Sequence, residues 1–362
     1  MSKTRISLAI AALLIASSAV AQSEPELHVL PVQGNVYMLV GAGANIAMSI
    51  GPDGILLVDA GLEQNADYVA ATALDLATRL TASPQPNKCL GLRCPGTPFG
   101  WSSPALDARI ASPAHAKPIR YIINTSSDLD KVGGNARLAE LPKDSGILNV
   151  TFPPVGLAPT ANVLAHENVL NWMEEPLNDD PNSDETVVPF ESWPTLTYRE
   201  PKYKLSEFFN GEGVVLYHVP NAHTDGDTMV NFRYSDVIAA GDILDNTQYP
   251  HFEVEHGGSI NGILAGLNML LDLGVAEFRS QGGTMFIPGH GRVMDIGDLT
   301  NYRNMVEIIR DRVQYMIDEG MSLDQVLAAR PSFDYDGIYG NGRDGWDTEA
   351  FLTAVYTSLS GQ

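Results

Sequence analysis

Positive charge is scarce in this chain of 362 residues: 22 Lys and Arg stand against 44 Asp and Glu, a formal net charge of −22. A surface this acidic repels phosphate backbones and anionic lipid, and nucleic-acid binding, which depends on Lys/Arg contacts and counterion release, is not expected. Long apolar runs are also missing. No segment after residue 21 reaches the roughly 18 uninterrupted apolar residues that a membrane span needs. Cysteine is nearly absent, with only Cys89 and Cys94, separated by four residues in KCLGLRCPG. In an oxidising compartment that pair reads as a small disulfide pinning a local loop. A zinc site there would need two further ligands, and no His follows until His115. Free thiols are the remaining reading.

The apolar stretch at residues 6–14 is too short to span a bilayer, and its setting explains it. Lys3 and Arg5 precede it, and Ala19-Val20-Ala21 forms an A-x-A-like cleavage site before Gln22. Residues 1–21 are therefore expected to be a signal peptide, leaving residues 22–362 as one mature domain, periplasmic or secreted.

After the signal, LHVLPV, NVYMLVG, NIAMSIG and GILLVDAG are short alternating or β-branched runs separated by Gly, Asn, Pro and Asp, as consecutive antiparallel strands would be. Gly51-Pro52-Asp53-Gly54 has the composition of a hairpin turn, and residues 64–80 recur at helical spacing. Residues 83–118 and 174–202 show no sustained period and are rich in turn formers, so both are expected to be insertions that could overhang a site. Between them residues 119–123 read as a buried strand, and Gly133-Gly134 as the opening of a helix through Leu141. The second half repeats the grammar, with strands in VVLYHV, TMVNFRY, DVIAAGD and TMFIPG and helices over 259–273 and 298–319. Strands followed by helices, twice, predict two sheets face to face with helices outside.

Polar residues without an obvious structural task gather in four places at expected strand ends: 124–135 (NTSSDLDKVGGN), 220–228 (PNAHTDGDT), 240–242 (AGD) and 288–291 (PGHG). Taken in order, and together with VDAG around Asp59, HENVL at 166–170 and GGSI at 257–260, these segments resemble the metallo-β-lactamase superfamily. The resemblance covers nearly the whole mature chain. It implies the four-layer αβ/βα sandwich of the metallo-β-lactamase fold and a hydrolase of a small ester, amide, lactam or lactone. It also implies metal ligands at Asp128, Asp130, His223, Asp242 and His290, with Asp130 orienting the attacking hydroxide.

The first motif departs from the family pattern NT-H-x-H-x-D-H-x-GGN. Ser126 and Asp128 stand at the first two His positions, Asp130 keeps the family Asp, and Lys131 replaces the third His. Ser is a poor ligand and protonated Lys is none, so an ordinary dizinc centre is not expected. Three readings follow. One metal remains, with oxygen-rich ligation suited to Mn, Fe or weakly held Zn. Alternatively, the Lys131 ammonium takes a vacated metal position between Asp130 and Asp242, with no ion needed. In the third, Lys131 is desolvated and neutral, acting as base or ligand. Asp130 and Lys131 are thus the candidate catalytic pair. A Ser126 or Ser127 nucleophile with Lys131 is conceivable but lacks identifiable oxyanion donors. The rival to a hydrolase is a binding or accessory protein that uses the same cleft without turnover. Asp59, Asp225 and Asp227 are expected to be structural, and His218, His251 and His256 match no ligand position.

Overall fold

The computed structural model describes residues 26–81, 118–140, 161–179, 188–205, 208–276 and 283–361. The expected signal segment, the Cys89/Cys94 pair and nearly all of the first insertion lie outside the described residues. Strands β1 (His28–Gln33), β2 (Val36–Val40), β3 (Ile46–Gly51) and β4 (Gly54–Val58) run antiparallel in chain order. Gly51 pairs with Gly54 across the Pro52-Asp53 turn, so the hairpin composition sets this register. The sheet then turns parallel through β5 (Ile119–Ile123), β6 (Asn162–His166) and β7 (Leu196–Tyr198), giving seven strands in the order β1 to β7. A second sheet has the order β12 (Met285–His290), β11 (Val237–Asp245), β10 (Thr228–Phe232), β9 (Val214–His218), β8 (Lys202–Lys204), with β11 and β12 parallel.

Helix α1 (Ala66–Thr81) lays Val69, Ala70, Ala73 and Ala77 against Ile55 and Leu57 on the outer face of the first sheet. Short helices α2 (Leu129–Val132) and α3 (Asn135–Ala139) follow β5, and α4 (Glu167–Asp179) follows β6. On the outer face of the second sheet lie α5 (Ile260–Leu273) and α6 (Ile296–Asp318). The chain ends in α7 (Leu323–Ala329), α8 (Phe333–Tyr339) and α9 (Thr348–Ser360), the last packing Phe351 and Val355 into the same cluster as Ile263, Leu267 and Ile309. Between the sheets Met38, Leu56, Val230, Phe232 and Ala239 interleave. Each fully buried Val, Leu, Ile, Phe or Met side chain stabilises by about 1.5–3 kcal/mol, so the three apolar interiors and not the polar site carry the fold. The four layers are those the sequence predicts.

Three local expectations change. The single helix from Gly133 is two short ones, α2 already beginning at Leu129, because Asp128 is extended and starts the turn early. Helix α6 begins at Ile296 rather than Asp298, since the Asp295 carboxylate accepts the Asp298 N–H at 2.8 Å and closes a capping box. The stretch 174–202 is only partly irregular: α4 continues through it to Asp179, and the three-residue β7 forms an edge of the first sheet. A three-residue edge strand is too short to show a period of two.

Candidate metal centre and cleft

The site is built at the ends of β4, β5, β11 and β12. Asp59 follows β4 at a positive φ of 69°, and its carboxylate accepts from Thr125 N and Oγ1 at 2.8 and 2.9–3.1 Å. Burial pushes the Asp59 carboxyl up to about 8 despite Lys131 nearby, so it serves as a clamp on the loop. Asn124 Nδ2 donates to the Lys131 carbonyl at 3.0 Å and to Asn135 Oδ1 at 3.1 Å, binding both ends of the 124–135 segment together. On the second sheet, β11 is irregular between Gly241 and Asp245, with Gly241 at φ 57°, and this kink carries Asp242. Gly289 passes the Asp242 carboxylate so closely that a methyl group there would collide with it. The glycine before His290 is thus a packing requirement.

Lys131 is fully enclosed, and its Nζ lies 2.9 Å from Asp130 Oδ1 and 2.8 Å from Asp242 Oδ2. Burial alone would lower its pKa, but Asp242, Asp130 and Asp128 outweigh burial and hold the amine well above its ordinary value. Lys131 is therefore an ammonium, and the neutral-lysine alternative does not hold. Burial would in turn raise Asp130, but Lys131 and the hydrogen bond from His290 keep it below the ordinary carboxylate value. His290 Nε2 is 3.0 Å from Asp130 Oδ2 and 3.8 Å from Asp242 Oδ1.

Beside this cluster, His223 Nε2 faces Asp128 Oδ2 at 2.9 Å, while its Nδ1 meets the His251 carbonyl at 3.1 Å. The carbonyl can only accept, so Nδ1 carries a proton and Nε2 is the atom aimed at the carboxylates. Burial opposes charging His223, yet Asp128 raises its pKa well above the ordinary imidazole value. Ser126 is enclosed, and its Oγ donates to Asp128 Oδ2 at 2.8 Å. With Ser126 so placed and Lys131 committed to two carboxylates, neither forms part of a serine nucleophile system.

Each residue of the expected ligand set therefore comes to one place, but not as a two-metal centre. An ammonium between Asp130 and Asp242 has no lone pair to give and occupies the donors a second ion would need. Two ions do not fit. One does: single donor atoms of Asp128, His223 and Asp242 lie within 4.8 Å of one another. His223, His251 and Glu253 form a second such group, but it shares His223, and Glu253 is engaged by His256 Nδ1.

These residues floor a cleft of about 670 Å³. Its other wall comes from residues without motifs: Gln248 and His251 after β11, and Arg343 to Trp346 between α8 and α9. Trp346 packs edge-on against the His251 ring, centroids 4.3 Å apart, and its Nε1 donates to the Tyr249 carbonyl at 3.2 Å. Burial and the neighbouring His223 hold His251 below the ordinary imidazole value. A Trp that directly follows the glycine-rich run GNGRDG is the trace this wall leaves in the sequence. Asp227, as expected, is structural, accepting from Thr224 N at 2.9 Å.

No family model matches the sequence, and no curated protein matches it. Solved structures do. The chain is similar to a variant of the sec-alkyl sulfatase PisA1, with TM-score 0.52 and 15% identity over 91% of this chain. It spans 50% of the length of that protein. It is also similar to the DIM-1 metallo-β-lactamase, with TM-score 0.47 and 13% identity over 78% of this chain and 98% of the other. A metallo-β-lactamase from Pontibacter korlensis has TM-score 0.48 and 12% identity over 78% and 99%. At these identities the likeness is one of fold. The protein has the metallo-β-lactamase fold.

Proposed function

We propose that the protein is an exported hydrolase of a small ester, amide, lactam or lactone, working with one metal ion held by Asp128, His223 and Asp242. The observation that carries this reading is Lys131 Nζ at 2.9 and 2.8 Å from Asp130 and Asp242, where it stands as a fixed cation and leaves those three residues as the remaining donor set. Two carboxylates and an imidazole suit zinc, manganese or iron. When bound, such an ion supplies Lewis acidity that polarises a carbonyl and acidifies an attacking water. Export is supported by the order of charge, apolar run and small-residue site at residues 1–21.

The side chains of the chain supply the rest. Asp130, kept ionised by Lys131 and His290, accepts a hydrogen bond from the attacking water through Oδ2 and orients it. His290 lies 15% exposed beside it and is placed to give its Nε2 proton to the leaving group. Lys131 has no exposed surface, so it acts by positioning Asp130 and Asp242 and not by touching substrate. A second reading is favoured by the 2.9 Å contact of His223 Nε2 with Asp128. As an imidazolium–carboxylate pair it satisfies the donor set without an ion, and the cleft would then bind a ligand without turnover. Hydrolysis of 4-nitrophenyl hexanoate by protein loaded with zinc or manganese separates the two. The hydrolase reading expects turnover that His223→Ala reduces about 100-fold or more in kcat/KM; rates no faster than the free ion in buffer favour the binding protein.

A further inference from the structure

The walls of the cleft restrict what can enter it. Its charged lining consists of Asp128, Asp130, Asp242, Asp245 and Asp344 against the guanidinium of Arg343 and the His223 imidazole that Asp128 pairs with. That guanidinium is already committed, Nη2 to Asp245 Oδ2 at 2.5 Å and Nη1 to Thr247 Oγ1 at 2.6 Å. Lys131 is enclosed and bound to two carboxylates. One divalent ion would offset only part of this negative charge. Among the described residues lining the cleft, Arg343 is the one exposed lysine or arginine, and the Asp245 carboxylate already balances its charge.

A neutral donor is left. Gln248 lines the cleft yet is only 4% exposed, and its Oε1 accepts the Arg343 backbone N–H at 2.8 Å. A backbone N–H cannot accept, so this bond fixes which end of the amide is oxygen. Nε2 has no partner among the described residues, and it is not one of the fully enclosed unpaired atoms, so it is left facing the solvent of the cleft. Close by are apolar surfaces, the Trp346 indole held in place by Tyr249 and His251, and Leu129, 51% exposed at the rim.

We propose that the cleft takes an uncharged carbonyl compound with an apolar arm, an acceptor oxygen of which binds Gln248 Nε2 while the arm lies on Trp346 and Leu129, and that it rejects anionic analogues. For turnover this rests on the hydrolase reading above; for binding it does not. The test compares 4-nitrophenyl hexanoate with mono-4-nitrophenyl adipate, which has the same carbon count but ends in a carboxylate. With metal-loaded protein kcat/KM is expected to favour the hexanoate about tenfold or more at low salt, with the gap narrowing in 1 M salt as charges are screened. Gln248→Glu keeps the oxygen that accepts from Arg343 but removes the donor, and is expected to raise KM for the hexanoate about tenfold. A parallel calorimetric titration uses the slowly hydrolysed hexananilide and adipic acid monoanilide. Tighter binding of hexananilide than of the monoanilide acid, with the hexananilide affinity lowered by Gln248→Glu, supports the inference even if neither ester is turned over, in which case only the hydrolase reading fails. Equal or tighter binding of the adipate form, or binding of neither anilide, overturns it.

Discussion

At the scale of single residues, Lys131 decides the chemistry because it brings a permanent charge to a place where the family pattern has a neutral ligand. A buried ion pair is poor evidence of stability as a whole, but removing one partner is costly because the other charge stays buried. Asp242 is 11% exposed and Asp130 23%. Lys131→Ala is therefore expected to lower stability by about 3 kcal/mol, and added zinc should restore part of the loss by binding the freed carboxylates. Urea denaturation with and without zinc measures both effects. An unchanged midpoint in Lys131→Ala would show that the ammonium does not hold the cluster. The presence of Lys131, Asp128 and Asp130 was legible in the sequence, since all three lie in one loop of recognisable spacing. That Lys131 Nζ bridges Asp130 to Asp242 was not, because Asp242 arrives from the other sheet.

At the scale of elements, the site depends on a loop from one strand lying against the start of a helix from the same sheet. The turn at 220–224 that carries His223 crosses the first turn of α5 at Gly262, where an added methyl group would overlap the Asn221 carbonyl. The Ser259 hydroxyl, which caps α5, also donates to that carbonyl at 2.9 Å. In an exposed helix Gly→Ala gains about 1 kcal/mol. Here the overlap with backbone should reverse the sign, and Gly262→Ala is expected to destabilise by about 1–3 kcal/mol while weakening metal affinity through the displaced His223. Thermal melts and zinc titration of the variant check this; a variant as stable as the parent, with parent-like zinc affinity, would mean the turn yields without disturbing the site. Strand ends and capped helices were legible because their periods and caps are local. The cleft wall from Arg343 to Trp346 was not, since its position follows from how α7, α8 and α9 pack on the second sheet, which the local period of any one of them does not give.

At the scale of the whole molecule, apolar interiors between the two sheets and on their two outer faces fix four strand ends at one edge, and the charge placed there sets how many ions the protein can hold. The order of separated motifs made the fold legible from the sequence, whereas the count of ions depends on distances between loops of different sheets. Restoring the family residues at Ser126, Asp128 and Lys131 together as His would remove the fixed ammonium and add neutral donors, so that variant serves as the reference for a two-ion site. The direct measurement is zinc per chain by elemental analysis, after loading and dialysis against chelator-free buffer, for the parent and for this triple variant. The account predicts one ion in the parent, lost in His223→Ala, and two in the triple variant. Two tightly held ions in the parent, or none under loading, would contradict it.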